Sequence, residues 1–234
     1  MFFGKQKAVT FSFDDGVVQD RRVIEILNKY NLKGTFNLNS ARLGEPGVLE
    51  HNGVAADHSR FPAEQLRDIY EGHEVASHTL THPNLVTIED DQEIIRQVEQ
   101  DRLQLSELMG YEVVGFAYPG GGTNHNDHIV QLLKTHTGIR YGRINGVSKS
   151  LSVPTDYFRF QATIDTRSVP PEELFALADQ FLTCTDKPQL LSVYGHSYSY
   201  DYEPDNWKIF EEFCERISNR EDVFYGTTKE VLLG

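Results

Sequence analysis

The 234-residue chain is 39% hydrophobic and 24% charged, the balance of an ordinary globular protein, which excludes disordered, collagen-like and coiled-coil classes. A formal net charge of −13, with no Lys/Arg cluster longer than a pair, argues against nucleic acid or an anionic membrane as partner and suits a neutral or cationic ligand. The length suits a single domain over residues 1–234. The two cysteines, Cys184 and Cys214, are too few for a disulfide framework and read as reduced core thiols. No long apolar run with a cleavage site follows "MFFGKQKAVTFSF", so the expected location is the cytoplasm.

Short β-rich runs alternate with amphipathic helical patterns along the chain. A strand at 8–13 is followed by Val23, Ile26, Leu27 and Tyr30 at i, i+3, i+4 and i+7, one apolar helix face. A strand at 35–38 leads into residues 42–61, read as one long irregular loop beside the site, with His51 and His58 as exposed loop histidines. After a strand at 74–77 comes a helix carrying Ile94, Ile95, Val98, Leu105 and Leu108, with Thr87 three residues before Asp90 as its capping box. A strand at 113–118 precedes a helix with Ile129, Leu132 and Leu133 that Gly138 closes. Strands at 139–143 and 158–164 follow. Pro170-Pro171 opens a helix carrying Leu174, Leu177, Ala178 and Phe181. A strand at 190–194, a helix with Phe210, Phe213, Cys214 and Ile217, and a strand at 223–225 complete the pattern. Repeated β-α units imply parallel strands covered by helices, and seven or eight of them suggest an α/β closed barrel with chemistry where strands end.

Four strand ends carry the chemistry. "VTFSFDDGVVQD" places Asp14 and Asp15 side by side before Gly16. The pair reads as a strand-end turn, or as a metal ligand beside a proton acceptor. "GHEVASHTLTHPNL" puts His78 and His82 four residues apart, a spacing that on a helical turn faces both imidazoles to one cation. Two imidazoles and one carboxylate leave coordination positions open, as in a catalytic site. "GFAYPGGG" offers Tyr118, Pro119, Gly120 and Gly121 as a loop whose backbone could approach a substrate and donate to an oxyanion, or as a flexible connection only. "LLSVYGHSYSYD" ends in His196, suited to proton delivery near neutral pH, within a rim of Tyr198, Tyr200 and Tyr202 that fits either sugar stacking or loop packing.

"TFSFDDG", "SHTLTH", "GFAYPGGG" and "YGHSYSYD" occur in the order and approximate spacing of the polysaccharide deacetylases, the NodB-like or carbohydrate esterase family 4 enzymes, and the chain resembles that family from about Lys7 to Asp201. The resemblance implies a distorted (β/α)7-type barrel and metal-dependent removal of acetyl groups from sugars. It makes Asp14 the catalytic base, Asp15 a metal ligand with His78 and His82, and His196 the catalytic acid. One divalent metal ion is implied, Zn²⁺ first, with Co²⁺, Ni²⁺ or Mn²⁺ also suited to two His and one Asp.

The chain departs from the family pattern in places. Ala117 stands where many members have the arginine that orients the base; Arg143 in "YGRINGV" is the first candidate for that role and Arg159 the second. Gly120 replaces an aromatic residue often found after the motif's proline. Trp207, the only tryptophan, reads as a core or surface anchor rather than a wall of the acetyl pocket. The expected partner is an N-acetylated carbohydrate such as a chitin- or peptidoglycan-like glycan. Its rivals are a non-sugar amide hydrolysed at the same metal site, and a carbohydrate-binding protein without turnover.

Overall fold

The computed structural model describes residues 2–184 and 187–234. β1 (Lys7–Asp14) is buried along its whole length. Its alternation divides two environments: Val9, Phe11 and Phe13 join the hydrophobic core under the helices, while Ser12 and Asp14 hydrogen-bond to Asn37 of the neighbouring strand and Thr10 to Thr228 near the C-terminus, on the barrel interior. α1 (Asp20–Lys29) packs Val23, Ile24, Ile26 and Leu27 into that same core.

The remaining elements follow in chain order. β2 (Gly34–Leu38) leads to a short antiparallel hairpin of β3 (Val48–His51) and β4 (Val54–Asp57). Then come α2 (Leu66–Ile69), β5 (Glu74–Ser77), α3 (Asp91–Met109), β6 (Gly115–Ala117), α4 (Asp127–His136) and β7 (Tyr141–Val147). β8 (Phe160–Ala162), β9 (Ile164–Asp165), α5 (Pro171–Thr183), β10 (Gln189–Gly195), α6 (Asn206–Ile217), β11 (Val223–Tyr225) and α7 (Thr228–Leu233) complete the chain.

The principal sheet runs β8-β7-β6-β5-β2-β1-β10-β9, and every pairing in it is parallel. β8 and β9 are consecutive pieces of one segment, the first paired with β7 and the second with β10, and the Thr163 N–H donates to the Ser192 carbonyl at 2.7 Å. The path therefore returns to its start as a nearly closed barrel of seven strand positions, with helices outside. One distortion follows from β1 having three neighbours. Residues 11–14 pair with β2, whereas residues 7–9 pair with β11. Thr228, opening α7, bridges the split by hydrogen-bonding Thr10 at 3.3 Å and Thr35 at 3.0 Å.

The barrel interior is polar. Glu74 accepts from Thr35 and Tyr141, and Asn37 donates to Ser12, so buried polar groups find partners in one another.

The structure corrects several local expectations. Thr87 lies in a 3-10 turn (Leu85–Thr87), and Asp90 caps α3 by accepting from the Gln92 N–H at 2.9 Å. Thr137, not Gly138, is the C-cap of α4. Residues 42–61 contain the β3-β4 hairpin, and His58 within them is buried rather than exposed. Among the described residues, no helix is long and apolar enough to cross a membrane.

Candidate active site

At the end of β1, Asp15 and Gly16 both adopt the left-handed region, with φ of 80° and 64°. A Cβ on Gly16 would stand 2.5 Å from Leu38 Cδ2, so glycine is required there. This turn holds the two carboxylates in different surroundings. Asp14 accepts from Arg143 Nη2 through both oxygens, at 2.6 Å for Oδ2, and from Asn37 Nδ2 at 2.8 Å. Its Oδ2 also lies 3.9 Å from His78 Nε2 and 4.0 Å from His196 Nε2. Burial pushes the Asp14 carboxyl upward, but Arg143 and the two histidines more than offset it and hold it below the usual carboxylate range.

Asp15 meets a second set of imidazoles. His58 Nε2 lies 3.3 Å from its Oδ2, and His82 Nε2 lies 3.4 Å from its Oδ1. Burial raises this carboxyl too, and the His58 hydrogen bond with the charges of His196, His78 and His82 brings it far below the usual range.

His78 follows β5 directly. Its Nδ1 donates to the Ala117 carbonyl at 2.8 Å, which leaves the Nε2 lone pair facing the site. Its backbone N–H is held by Leu38 O at 2.8 Å and by Asp101 of α3 at 3.2 Å. The segment to His82 is not a helical turn. Thr79 and His82 both have φ of 68°, and this left-handed geometry brings the two rings to a centroid distance of 4.8 Å. Burial, then the charge of His78, pushes His82 down to about 4, so it is a neutral imidazole at physiological pH.

Candidate ligand atoms of Asp15, His78 and His82 all lie within 4.8 Å of one another. An ionised carboxylate beside a neutral imidazole and a second imidazole fixed by a backbone carbonyl is the donor chemistry a divalent cation takes. The residues present fit such an ion.

These groups open into a cavity of about 330 Å³, also lined by Tyr118, Gly120, Gly121, Tyr194 and Tyr198. Pro119 is buried and does not line it. The Tyr118 N–H is committed to the Arg143 carbonyl at 2.9 Å, and proline has no N–H. Gly120 and Gly121 are thus the backbone donors this loop can offer. His196 follows β10, 28% exposed at its side chain, with its ring between those of Tyr194 and Tyr198. Of the aromatic rim, Tyr198 faces the cavity, while Tyr200 is buried against Trp207 and Phe210.

Arg143 and Arg159 separate cleanly. The Arg143 side chain lies in the barrel interior, donating to Ser12 Oγ at 3.0 Å as well as to Asp14, and stacks 4.3 Å from the Tyr194 ring centroid. Arg159 pairs with Asp127 and Asp156 at the surface, outside the cavity. Trp207 donates to Asp201 at 2.8 Å, packs on Tyr200 and does not line the cavity. Sequence reasoning placed His58 in a loop beside the site but read it as exposed, and it missed Asn37, Arg42 and Arg60. One available signal was Asn37, a polar residue in the middle of a strand.

The sequence profile of the polysaccharide deacetylase family matches residues 4–141. Peptidoglycan-N-acetylglucosamine deacetylase PgdA of Listeria monocytogenes is 28% identical over 121 residues, 50% of this chain and 22% of that protein. A peptidoglycan-N-acetylglucosamine deacetylase of Bacillus cereus is 31% identical over 105 residues, 44% of this chain and 32% of that one. The chain therefore spans less than a third of either curated relative. The structure of a family 4 carbohydrate esterase from Streptomyces lividans superposes with a TM-score of 0.58 at 13% identity, over 98% of this chain and 96% of that one, and shares the fold.

Proposed function

We propose that this chain, which belongs to the polysaccharide deacetylase family, is a metal-dependent hydrolase that removes acetyl groups from N-acetylated amino sugars, as monosaccharides, oligosaccharides or polymers. The observation that carries this reading is the placement of Asp14 Oδ2 within 4.0 Å of both His78 and His196, beside the converging donors of Asp15, His78 and His82. A binding protein needs no base and acid flanking a cation site.

A divalent cation held by Asp15, His78 and His82, with Zn²⁺ as the first expectation, would supply Lewis acidity: it lowers the pKa of water towards ~7 and polarises an acyl oxygen. Asp14 is kept ionised by Arg143 and oriented by Asn37, so its Oδ2 is ready to accept the proton of the attacking water. Gly120 and Gly121 line the cavity, and a backbone N–H of this loop donates to the carbonyl oxygen as it gains charge in the tetrahedral centre. His196, whose Nε2 lies 4.0 Å from Asp14 Oδ2, delivers the proton to the departing amine nitrogen as the C–N bond breaks.

The test is acetate release by the purified protein from N-acetylglucosamine, chitin oligomers, peptidoglycan fragments and acetylated xylan, with chelator and with added Zn²⁺ or Co²⁺. Release that chelator abolishes and metal restores supports the reading. Silence across the panel, with metal bound, overturns it in favour of a non-sugar amide or a protein without turnover.

A further inference from the structure

The cavity holds two arginines that hydrolysis does not use. Arg42 and Arg60 come from the segment between β2 and α2 and line the same space as Asp14 and His82. The Arg60 side chain is 2% exposed, yet its ionic contact is a long one, 3.9 Å from Nη1 to Glu45 Oε2. Its Nε has no hydrogen-bond partner among the described residues. Glu45 is more closely engaged by Arg42, whose Nε donates to the same Oε2 at 2.9 Å. One half-exposed carboxylate thus serves two guanidinium groups.

This is an unusual arrangement for Arg60, a buried cation whose neighbour Arg42 is about one-third exposed. A guanidinium presents five N–H donors, and enclosing it without partners is strongly unfavourable. Burial, followed by the charge of Arg42, pulls the Arg60 pKa down, so the two cations repel. Asp15 favours the Arg60 cation only from beyond ion-pair distance, because its oxygens face His58 and His82 at 3.3 and 3.4 Å. The composition does not explain the pair either, since the chain carries 35 acidic residues against 22 Lys and Arg.

We propose that Arg42 and Arg60 form an anion subsite of the active-site cavity, so that the substrate is an acylated amino sugar bearing a carboxylate or phosphate group. The planar fork of arginine matches both oxyanions through paired N–H bonds, and the incoming anion supplies the partner that Arg60 lacks. The net charge of −13, which suits a neutral or cationic ligand, acts over a distance that salt screens beyond about 8 Å, whereas the two arginines act by contact. The proposal deepens the deacetylase reading and rests on it for the identity of the sugar.

Binding by calorimetry and turnover by acetate release are measured side by side for N-acetylglucosamine, N-acetylmuramic acid and N-acetylglucosamine 6-phosphate. The carboxylate and the phosphate arms distinguish the two sources of anion. The expected result is at least tenfold tighter binding of one anionic sugar than of the neutral one, a preference that weakens with added salt and falls about tenfold in Arg42→Gln and in Arg60→Gln. Should the buried Arg60 variant fail to fold, Arg42→Gln and the salt dependence carry the test. Equal binding of all three sugars, no binding of any, or a preference that neither variant alters overturns the subsite. The two readings fail separately: a selective anionic ligand that is never hydrolysed sinks the deacetylase and keeps the subsite, while unselective turnover does the reverse.

Discussion

Arg143 Nη2 reaches both oxygens of Asp14, and its Nε reaches Ser12, so one side chain from β7 fastens the end of β1 from across the barrel interior. Arg143→Met removes the counter-charge of a buried carboxylate, and breaking a buried pair in this way costs roughly 3–5 kcal/mol. The expected outcome is a protein of lower melting temperature whose turnover falls at least a hundredfold. Arg159→Ala removes surface pairs, worth little in water, and leaves turnover within about twofold. Steady-state rates of the two variants decide the matter, and the opposite ranking would assign the orienting role to Arg159.

Asp14 and His78 stand 3.9 Å apart but carry different expected roles. Asp14→Asn keeps the shape of the side chain and its place beside Arg143, so the protein should still retain metal through dialysis while acetate release disappears. His78→Ala deletes an imidazole that Ala117 orients towards the site, and both metal and activity should go. Metal analysis alongside an activity assay separates them. An Asp14→Asn protein with near wild-type turnover ends the base assignment.

His58 braces Asp15 from the side opposite His82: His58 lies against Oδ2 and His82 against Oδ1. The Tyr198 ring stands edge-on to His58 at 4.8 Å and fixes it in turn. His58→Phe keeps the ring volume and removes the polar contact. Partners of this kind are typically worth 10- to 100-fold in metal affinity, so chelator competition should register a loss of that order. Unchanged affinity would mean that Asp15 needs no such brace.

The strands were legible because β1 alternates and because both the 74–77 and 223–225 runs are β-rich and short. The rule that barrel chemistry gathers at strand ends pointed to Asp14, Asp15, His78, His82 and His196, the family resemblance supplied their expected roles, and the fold brings all five to one cavity. What stayed hidden depends on three-dimensional closure. Arg143 and Arg159 are indistinguishable by spacing, and only the polar interior, where Ser12, Asn37 and Asp14 converge, selects the first. The 78–82 spacing suggested a helix because Thr and His seldom adopt positive φ, yet Thr79 and His82 both do. His58 and Arg60 follow a hairpin whose Asn52-Gly53 turn, both residues at positive φ, was a legible signal that the sequence reading passed over, and their burial comes from its folding back over the Asp15 turn, where Val17 bridges to Arg60.

Asp20 gives a stability prediction for the metal-free protein, since the charges of Asp15 and Asp14 add to its shift. Its carboxylate is fully buried and accepts from Ser197 at 2.6 Å and Tyr70 at 2.8 Å. Burial dominates these bonds and lifts it to about 7, against 3.8 for the ordinary group. A raised carboxylate pKa means that the folded state binds the proton more tightly than the unfolded chain. The linkage therefore favours folding at low pH and is lost as pH rises from about 4 to about 7. Asp20→Asn removes that dependence while keeping a polar group for both partners. Its stability relative to wild type should be near equal at pH 4 and rise to a plateau above pH 7, by at most about 4 kcal/mol at 1.36 kcal/mol per pKa unit. Urea melts of both proteins across this range measure the difference directly, and a difference that stays flat with pH would mean that Asp20 is ionised in the fold throughout.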